Sequence, residues 1–244
     1  MYEQIKNIMK QVVPASWLQN HKSRLRKVVS CFYKGQSYEC PICDFAMSAF
    51  IILKNGDKLC PHCGSLGRNR RLWEIIKNQI NGKRILHFSP SASISSKIKH
   101  RPEVDYISSD YEGEFKADES YDIRSIPLKD ETLDMIICYH VLEHITEDID
   151  AMAELYRLLK FGGSCYIQSP FKEGNTYEDS SKVSAIERRL AFGQEDHVRI
   201  YSVSGLKVRL ERCGFQVKVL LCQADQGNRY GYKENEIIIE ALKK

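Results

Sequence analysis

The chain has 244 residues, 43% hydrophobic and 28% charged, with a net charge of +4. Those fractions belong to a soluble globular protein and set aside a disordered chain. No apolar run approaches the ~20 residues that span a bilayer, and so mild a positive charge does not by itself imply a nucleic-acid partner.

The lead segment, residues 1–37, is basic: Lys6, Lys10, Lys22, Arg24, Arg26, Lys27 and Lys34 stand against Glu3. Pro14 splits it into two short, weakly amphipathic helical patterns. Two readings stay open: a solvated lead helix packed on the rest, or a peripheral contact with an anionic membrane or nucleic acid. The N-terminus lacks the apolar core and cleavage site of a secretory signal. The expectation is therefore a cytoplasmic, reducing setting, in which nine cysteines are not a disulfide framework.

Residues 38–69 form a second unit. Cys40-Pro-Ile-Cys43 and Cys60-Pro-His-Cys63 flank the sixteen residues Asp44–Leu59, a four-cysteine zinc spacing. Each Cys-x-x-Cys turn aims two thiolates at one tetrahedral ion, and the segment between them reads as a hairpin turning at Asn55-Gly56. A closed ribbon of Cys40, Cys43, Cys60 and Cys63 has no open position, so its Zn2+ is expected to be structural. His62 is surplus to it. Cys31, Cys138, Cys165, Cys213 and Cys222 sit in or beside apolar patterns and read as core residues.

The third unit, 70–244, opens with a helix carrying Leu72, Ile75, Ile76 and Ile80 on one face and stopped by Asn81-Gly82. Strands are predicted at Arg84–Phe88, Val104–Ser108, Leu133–Tyr139, Ser164–Gln168, Gln216–Gln223 and Glu236–Leu242. Helices are predicted near Ile94–Lys99, Asp148–Leu159, Lys182–Phe192 and Val203–Cys213. This alternation argues for a parallel sheet covered on both faces. Met152, Leu155, Tyr156 and Leu159 make a core stripe, and Gly162-Gly163 supplies a positive-φ stop before the next strand.

The stretch from Asp118 to Pro170 contains "SIPL" before a turn, then "LDMIICYHVLEHI", then an amphipathic helix ending in "LLKFGG" and a strand. It resembles the class I S-adenosylmethionine-dependent methyltransferases (methyltransferase type 11-like). "CGFQVKVLLC" and "NEIIIEALKK" look like that family's last two strands. The ribbon followed by "SLGRNRRLW", the "HFSPS" loop and "FGQEDHVRIYS" resemble a bacterial subgroup with an N-terminal ribbon. The resemblance implies a Rossmann-like, seven-stranded, mostly parallel sheet with an antiparallel last strand, S-adenosylmethionine as cofactor, and methyl transfer as the activity.

It also assigns residues. His87, Phe88 and Ser89 fall in the cofactor loop, where family members often carry glycines and this chain has none. Small serines and a Pro-stiffened turn can present backbone and hydroxyl groups to the methionine carboxylate near a helix start. Asp110 closes the second strand, with Tyr111 following, where a carboxylate can accept hydrogen bonds from a ribose diol. Asp122 and Ile123 match the adenine-contacting position. Tyr139 and His140 end a strand at the carboxyl edge, where open α/β sheets bind ligands. His144 reads as a packed, hydrogen-bonded histidine, and Asp134 as ordering a loop.

In the polar cluster Phe192–Arg199, His197 is a candidate general base oriented by Glu195 or Asp196, and Arg199 a candidate anion holder. The other reading of that cluster is a helix-end loop with surface salt bridges. Methyl transfer is largely a matter of alignment, and a hydroxyl nucleophile needs a base, for which His197 and His140 compete. The acceptor is expected to be a small molecule or glycan, methylated on oxygen. The alternatives are a zinc-ribbon RNA methyltransferase, with Arg68, Arg70 and Arg71 after the last knuckle, and a degenerate domain that binds a partner.

Overall fold

The structure is a computed structural model that describes residues 24–244. The Pro14-split patterns and most of the basic lead lie outside them. The chain forms two compact units.

The first unit comprises the described residues up to Gln79 together with Ser91–Lys97 and Gln223–Glu236. A helix over 24–30 and a 3-10 turn, Cys31–Tyr33, lead into β1 (Lys34–Glu39), which pairs antiparallel with β2 (Ala46–Met47). Ribbon structure thus begins inside the stretch read as lead. β3 (Ile51–Ile52) and β4 (Lys58–Leu59) form the hairpin expected around Asn55-Gly56. Gly56 takes φ +83° there and its N–H donates to the Leu53 carbonyl, a turn that only a residue tolerant of positive φ makes cheaply.

Helix α1 (Gly67–Ile76) buries Leu72, Trp73, Ile76 and, unusually, Arg70. The Arg70 guanidinium donates to the carbonyls of Tyr230, Ser65, Lys58 and Gly231 at 2.6–2.9 Å and lies 4.4 Å from the Phe50 ring centre. A buried cation without a carboxylate is tolerable because these carbonyl dipoles replace water. α2 (Ala92–Lys99) follows.

The second unit holds a six-stranded sheet. β5 (Arg84–Phe88), β6 (Asp105–Ser109), β7 (Leu133–Tyr139) and β8 (Leu159–Gln168) are mutually parallel, in the order β8-β7-β5-β6. β13 (Glu236–Leu242) pairs antiparallel with β8, and β12 (Gln216–Cys222) lies beyond it. The antiparallel last strand matches expectation. The seventh strand does not form among the described residues: the polar "DESYD" contributes one parallel bridge, Ser109–Glu119.

Helices α3 (Asp148–Leu158), α4 (Ala185–Phe192) and α5 (Val203–Arg212) complete this unit. Met152, Leu155, Leu158 and Leu206 pack with Leu86, Ile136 and Ile167 in its core. Ser184 caps α4 by accepting from the Glu187 N–H, which is why that helix starts at Ala185 and not at Lys182. Gly162 has the expected positive φ, +79°, but the Gly162-Gly163 pair does not stop the helix, which ends at Leu158. The pair sits inside the long strand β8, in a bulge where the register jumps from Leu133–Leu159 to Met135–Ser164. A second, three-stranded sheet was not foreseen: β9 (Phe171–Lys172), β10 (Tyr177–Glu178) and β11 (Arg199–Ser202). Asp134 accepts from the Arg84 N–H and from Lys160, so it ties strands together. Cys138 and Cys165 are core residues whose thiols burial pushes up, whereas Cys31 is exposed.

Candidate functional site

β5 has β6 on one side and β7 on the other, so the connections leaving its end diverge. A crevice forms at such a point because no loop crosses it. Phe88 pairs with Ser109 and with Cys138, which brings the three strand ends level. Above them lies a cavity of about 560 Å3, within the size range of small-molecule sites. Phe88, Ser89, Asp110, Tyr111, Asp122, Ile123 and His140 line it together.

The glycine-free loop still makes the turn that glycine usually makes. Ser89 adopts φ +43°, and its N–H donates to the Ser109 carbonyl at 2.9 Å. A non-glycine residue in this region costs of order 1–3 kcal/mol and persists only where neighbours hold it. Asp110 accepts from the Phe115 N–H through one oxygen at 2.9 Å, and its second oxygen accepts from none of the described residues. Arg124 clamps Asp122 bidentately and also reaches Glu147 at 2.7 Å, and this arginine holds the Asp122 carboxyl below its usual range.

His140 is a second left-handed residue, φ +54°, with its N–H on the Gln168 carbonyl and its Nδ1 3.2 Å from Glu143 Oε1. Glu143 is almost fully buried. Burial acts upward on its carboxyl, but His140 and His144 hold it below the usual range. His144 is not packed away: it lines the cavity, with Nδ1 3.1 Å from Asp196 Oδ2. Six carboxylates face the cavity, from Asp110, Glu112, Glu114, Asp122, Glu147 and Asp196, against Arg124 and Arg188. That excess favours a cationic ligand.

Four candidates stand elsewhere. His87 is buried with Nδ1 2.9 Å from the Tyr106 hydroxyl, and burial lowers its pKa to about 3. Tyr139 is buried and does not line the cavity. Glu195 is an exposed partner of Arg189. His197 is buried behind His144, their rings edge to face at 4.7 Å, and burial and His144 lower its pKa.

Arg199 is not open to a ligand either. It donates to the carbonyls of Leu142, Ile145 and Thr146 and pairs with Glu178 at 2.9 Å. Asp148, beside it, accepts from Tyr201 and Arg209. This buried network fixes the 142–148 loop that carries His144 into the cavity wall. Sequence reasoning passed over Glu143 and Arg124. The only signal for Glu143 was a charge inside the apolar run "YHVLEHI".

In the first unit the four ribbon sulfurs lie within 4.8 Å of one another, with Cys40–Cys63 at 3.6 Å and Cys43–Cys60 at 3.8 Å. Sulfurs about 2.3 Å from one tetrahedral ion sit roughly 3.8 Å apart, so the cluster fits zinc and is far too open for disulfides. Two equivalent turns make it, with Asp44 N–H on the Cys40 carbonyl and Gly64 N–H on the Cys60 carbonyl. His62 stacks on Phe45 at 5.1 Å and stays outside the sulfur set.

Residues 86–167 match the family described as "Methyltransferase domain". No curated protein matches the sequence. Solved structures similar in fold include an S-adenosylmethionine-dependent methyltransferase from Archaeoglobus fulgidus (18% identity, 71% of this chain and 91% of that chain covered, TM-score 0.48). Another is an S-adenosylmethionine-dependent methyltransferase from Mesorhizobium loti (12%, 69% and 96%, 0.45). A third is phosphoethanolamine N-methyltransferase 2 of Haemonchus contortus in complex with S-adenosyl-L-methionine (13%, 72% and 52%, 0.46).

Proposed function

We propose, from the premise that residues 86–167 form a methyltransferase domain of the S-adenosylmethionine-dependent kind, that the crevice over β5, β6 and β7 binds this cofactor beside a small-molecule or glycan acceptor methylated on oxygen. The observation that carries the reading is the convergence of Ser89, Asp110, Ile123 and His140 on one carboxylate-rich cavity. When bound, S-adenosylmethionine supplies a methyl group activated on a sulfonium.

The chain's own residues bind and orient. The free oxygen of Asp110 accepts from ribose hydroxyls, and Ile123 offers an apolar face to the adenine. The Ser89 turn brings backbone against the methionine end, and the surrounding carboxylates attract the positive sulfonium. Glu143 fixes the His140 ring through Nδ1, and Nε2, buried and without a hydrogen-bond partner, takes a proton from an acceptor hydroxyl only if the acceptor binds directly against the ring. His197 acts behind His144 and does not itself meet substrate. Glu195, engaged by Arg189, has no direct role. Cys40, Cys43, Cys60 and Cys63 hold a structural zinc with no open position.

Calorimetry with S-adenosylmethionine and S-adenosylhomocysteine tests the binding half, and binding of neither removes the reading. Mass spectrometry of a cell extract incubated with the chain and isotopically labelled cofactor tests the acceptor: a labelled small molecule or glycan is the expected product, and label in RNA overturns that choice.

A further inference from the structure

Behind the cavity wall, three ligating groups face one another. Glu143, His144 and His197 each offer one ligand atom within 4.8 Å of the other two. Glu143 is 1% exposed and His197 3%. Glu143 Oε2 and His197 Nε2 are both buried and without a hydrogen-bond partner. An orphaned buried polar atom costs about 1–3 kcal/mol, more when charged, so two in one cluster call for something to satisfy them.

The outer atoms of the same side chains are already engaged. His144 Nδ1 meets Asp196 at 3.1 Å, Glu143 Oε1 meets His140 at 3.2 Å, and the Phe192 carbonyl accepts from the His197 ring. Metal-ligating histidines are held this way, one nitrogen on an oxygen acceptor and the other turned to the ion.

We propose that Glu143, His144 and His197 bind one divalent transition cation. Two imidazoles and one carboxylate form a donor set used for Zn2+, Mn2+ and Fe2+, and three protein ligands leave coordination positions open. Of the three only His144 lines the cavity, so an acceptor there reaches the ion past its ring. There the cation takes an oxygen of the methyl acceptor and lowers its pKa, and the hydroxyl proton leaves to water in the cavity. Only this last assignment, of what fills the open position, rests on the methyltransferase reading; cation binding does not.

The test uses the full chain with its ribbon zinc in place, titrated with Mn2+ and counted by electron paramagnetic resonance. A thiolate cluster prefers zinc to Mn2+, so the ribbon does not register. The expected result is one Mn2+ per chain, weakened at least tenfold by Glu143→Gln and by His144→Ala and unchanged by Glu195→Gln. His144 is partly exposed, so its removal leaves the fold testable by circular dichroism and zinc content even if the buried Glu143→Gln disturbs it. No bound Mn2+ and no second equivalent of Zn2+ in the wild type overturns the site, as does undiminished binding in folded His144→Ala. Calorimetry with S-adenosylmethionine on the same samples separates the two readings: cofactor binding with neither Mn2+ nor a second Zn2+ bound removes the cation site alone, and cation binding without cofactor binding removes the methyltransferase reading alone.

Discussion

Asp110 lines the cavity, whereas His87 lies buried against the Tyr106 hydroxyl. Asp110 was legible because a lone acid closing a predicted strand must sit at the carboxyl edge. Its hydrogen bonds to a ligand should be worth about 1.5–3 kcal/mol. Asp110→Ala is therefore expected to weaken S-adenosylmethionine binding roughly ten- to a hundredfold by calorimetry, with circular dichroism unchanged. His87 does not line the cavity, because alternation along a strand sends neighbours to opposite faces and the strand alone does not say which face meets it. Its burial carries a stability consequence instead. An unfolded histidine titrates near ~6.5, whereas folded His87 titrates at about 3. Between those values the unfolded chain binds the extra proton, so stability falls as pH drops, by up to ~1.4 kcal/mol per pH unit. His87→Gln should flatten that decline between ~6.5 and about 3, read from urea midpoints across pH.

At the scale of elements, the six main strands and most helices were readable because apolar runs of the right length alternate with 3.6-residue patterns. What escaped detection is short. β9, β10 and β11 have two, two and four residues, too few for periodicity to register, and the Arg199–Glu178 ion pair spans β10 and β11. The bulge at Gly162 was hidden for another reason: a glycine pair after a helix looks the same whether it ends the helix or kinks the strand. Arg70 is the element-scale surprise, an arginine on the buried face of α1. Replacing it by methionine leaves four carbonyls without their donor, and a loss of about 3–5 kcal/mol is expected, measured by urea unfolding of the zinc-loaded chain. In the ribbon, Cys60→Ser should lower bound zinc by one equivalent by elemental analysis, with a lower melting temperature.

On the scale of the whole molecule, a ligand that binds only the folded state raises stability by about 2.7 kcal/mol at a hundred times its Kd. At that concentration S-adenosylmethionine should accordingly raise the melting temperature of wild type, and that of Asp110→Ala by about half as much or less, since a ten- to hundredfold weaker Kd leaves about 0.4–1.4 kcal/mol of stabilisation. Among the described residues no helix is long and apolar enough to cross a membrane. The first unit has a further property: it is assembled from stretches far apart in the chain, and Arg70 donates to Tyr230 and Gly231, 160 and 161 positions downstream. On a translating ribosome the cysteine knuckles emerge long before those carbonyls exist. The ribbon must then wait, its arginine served by water, until the Tyr230–Gly231 loop leaves the exit tunnel. Nascent chains stalled before position 230 should stay open to protease across α1, and protection should arrive only once that distant loop is out.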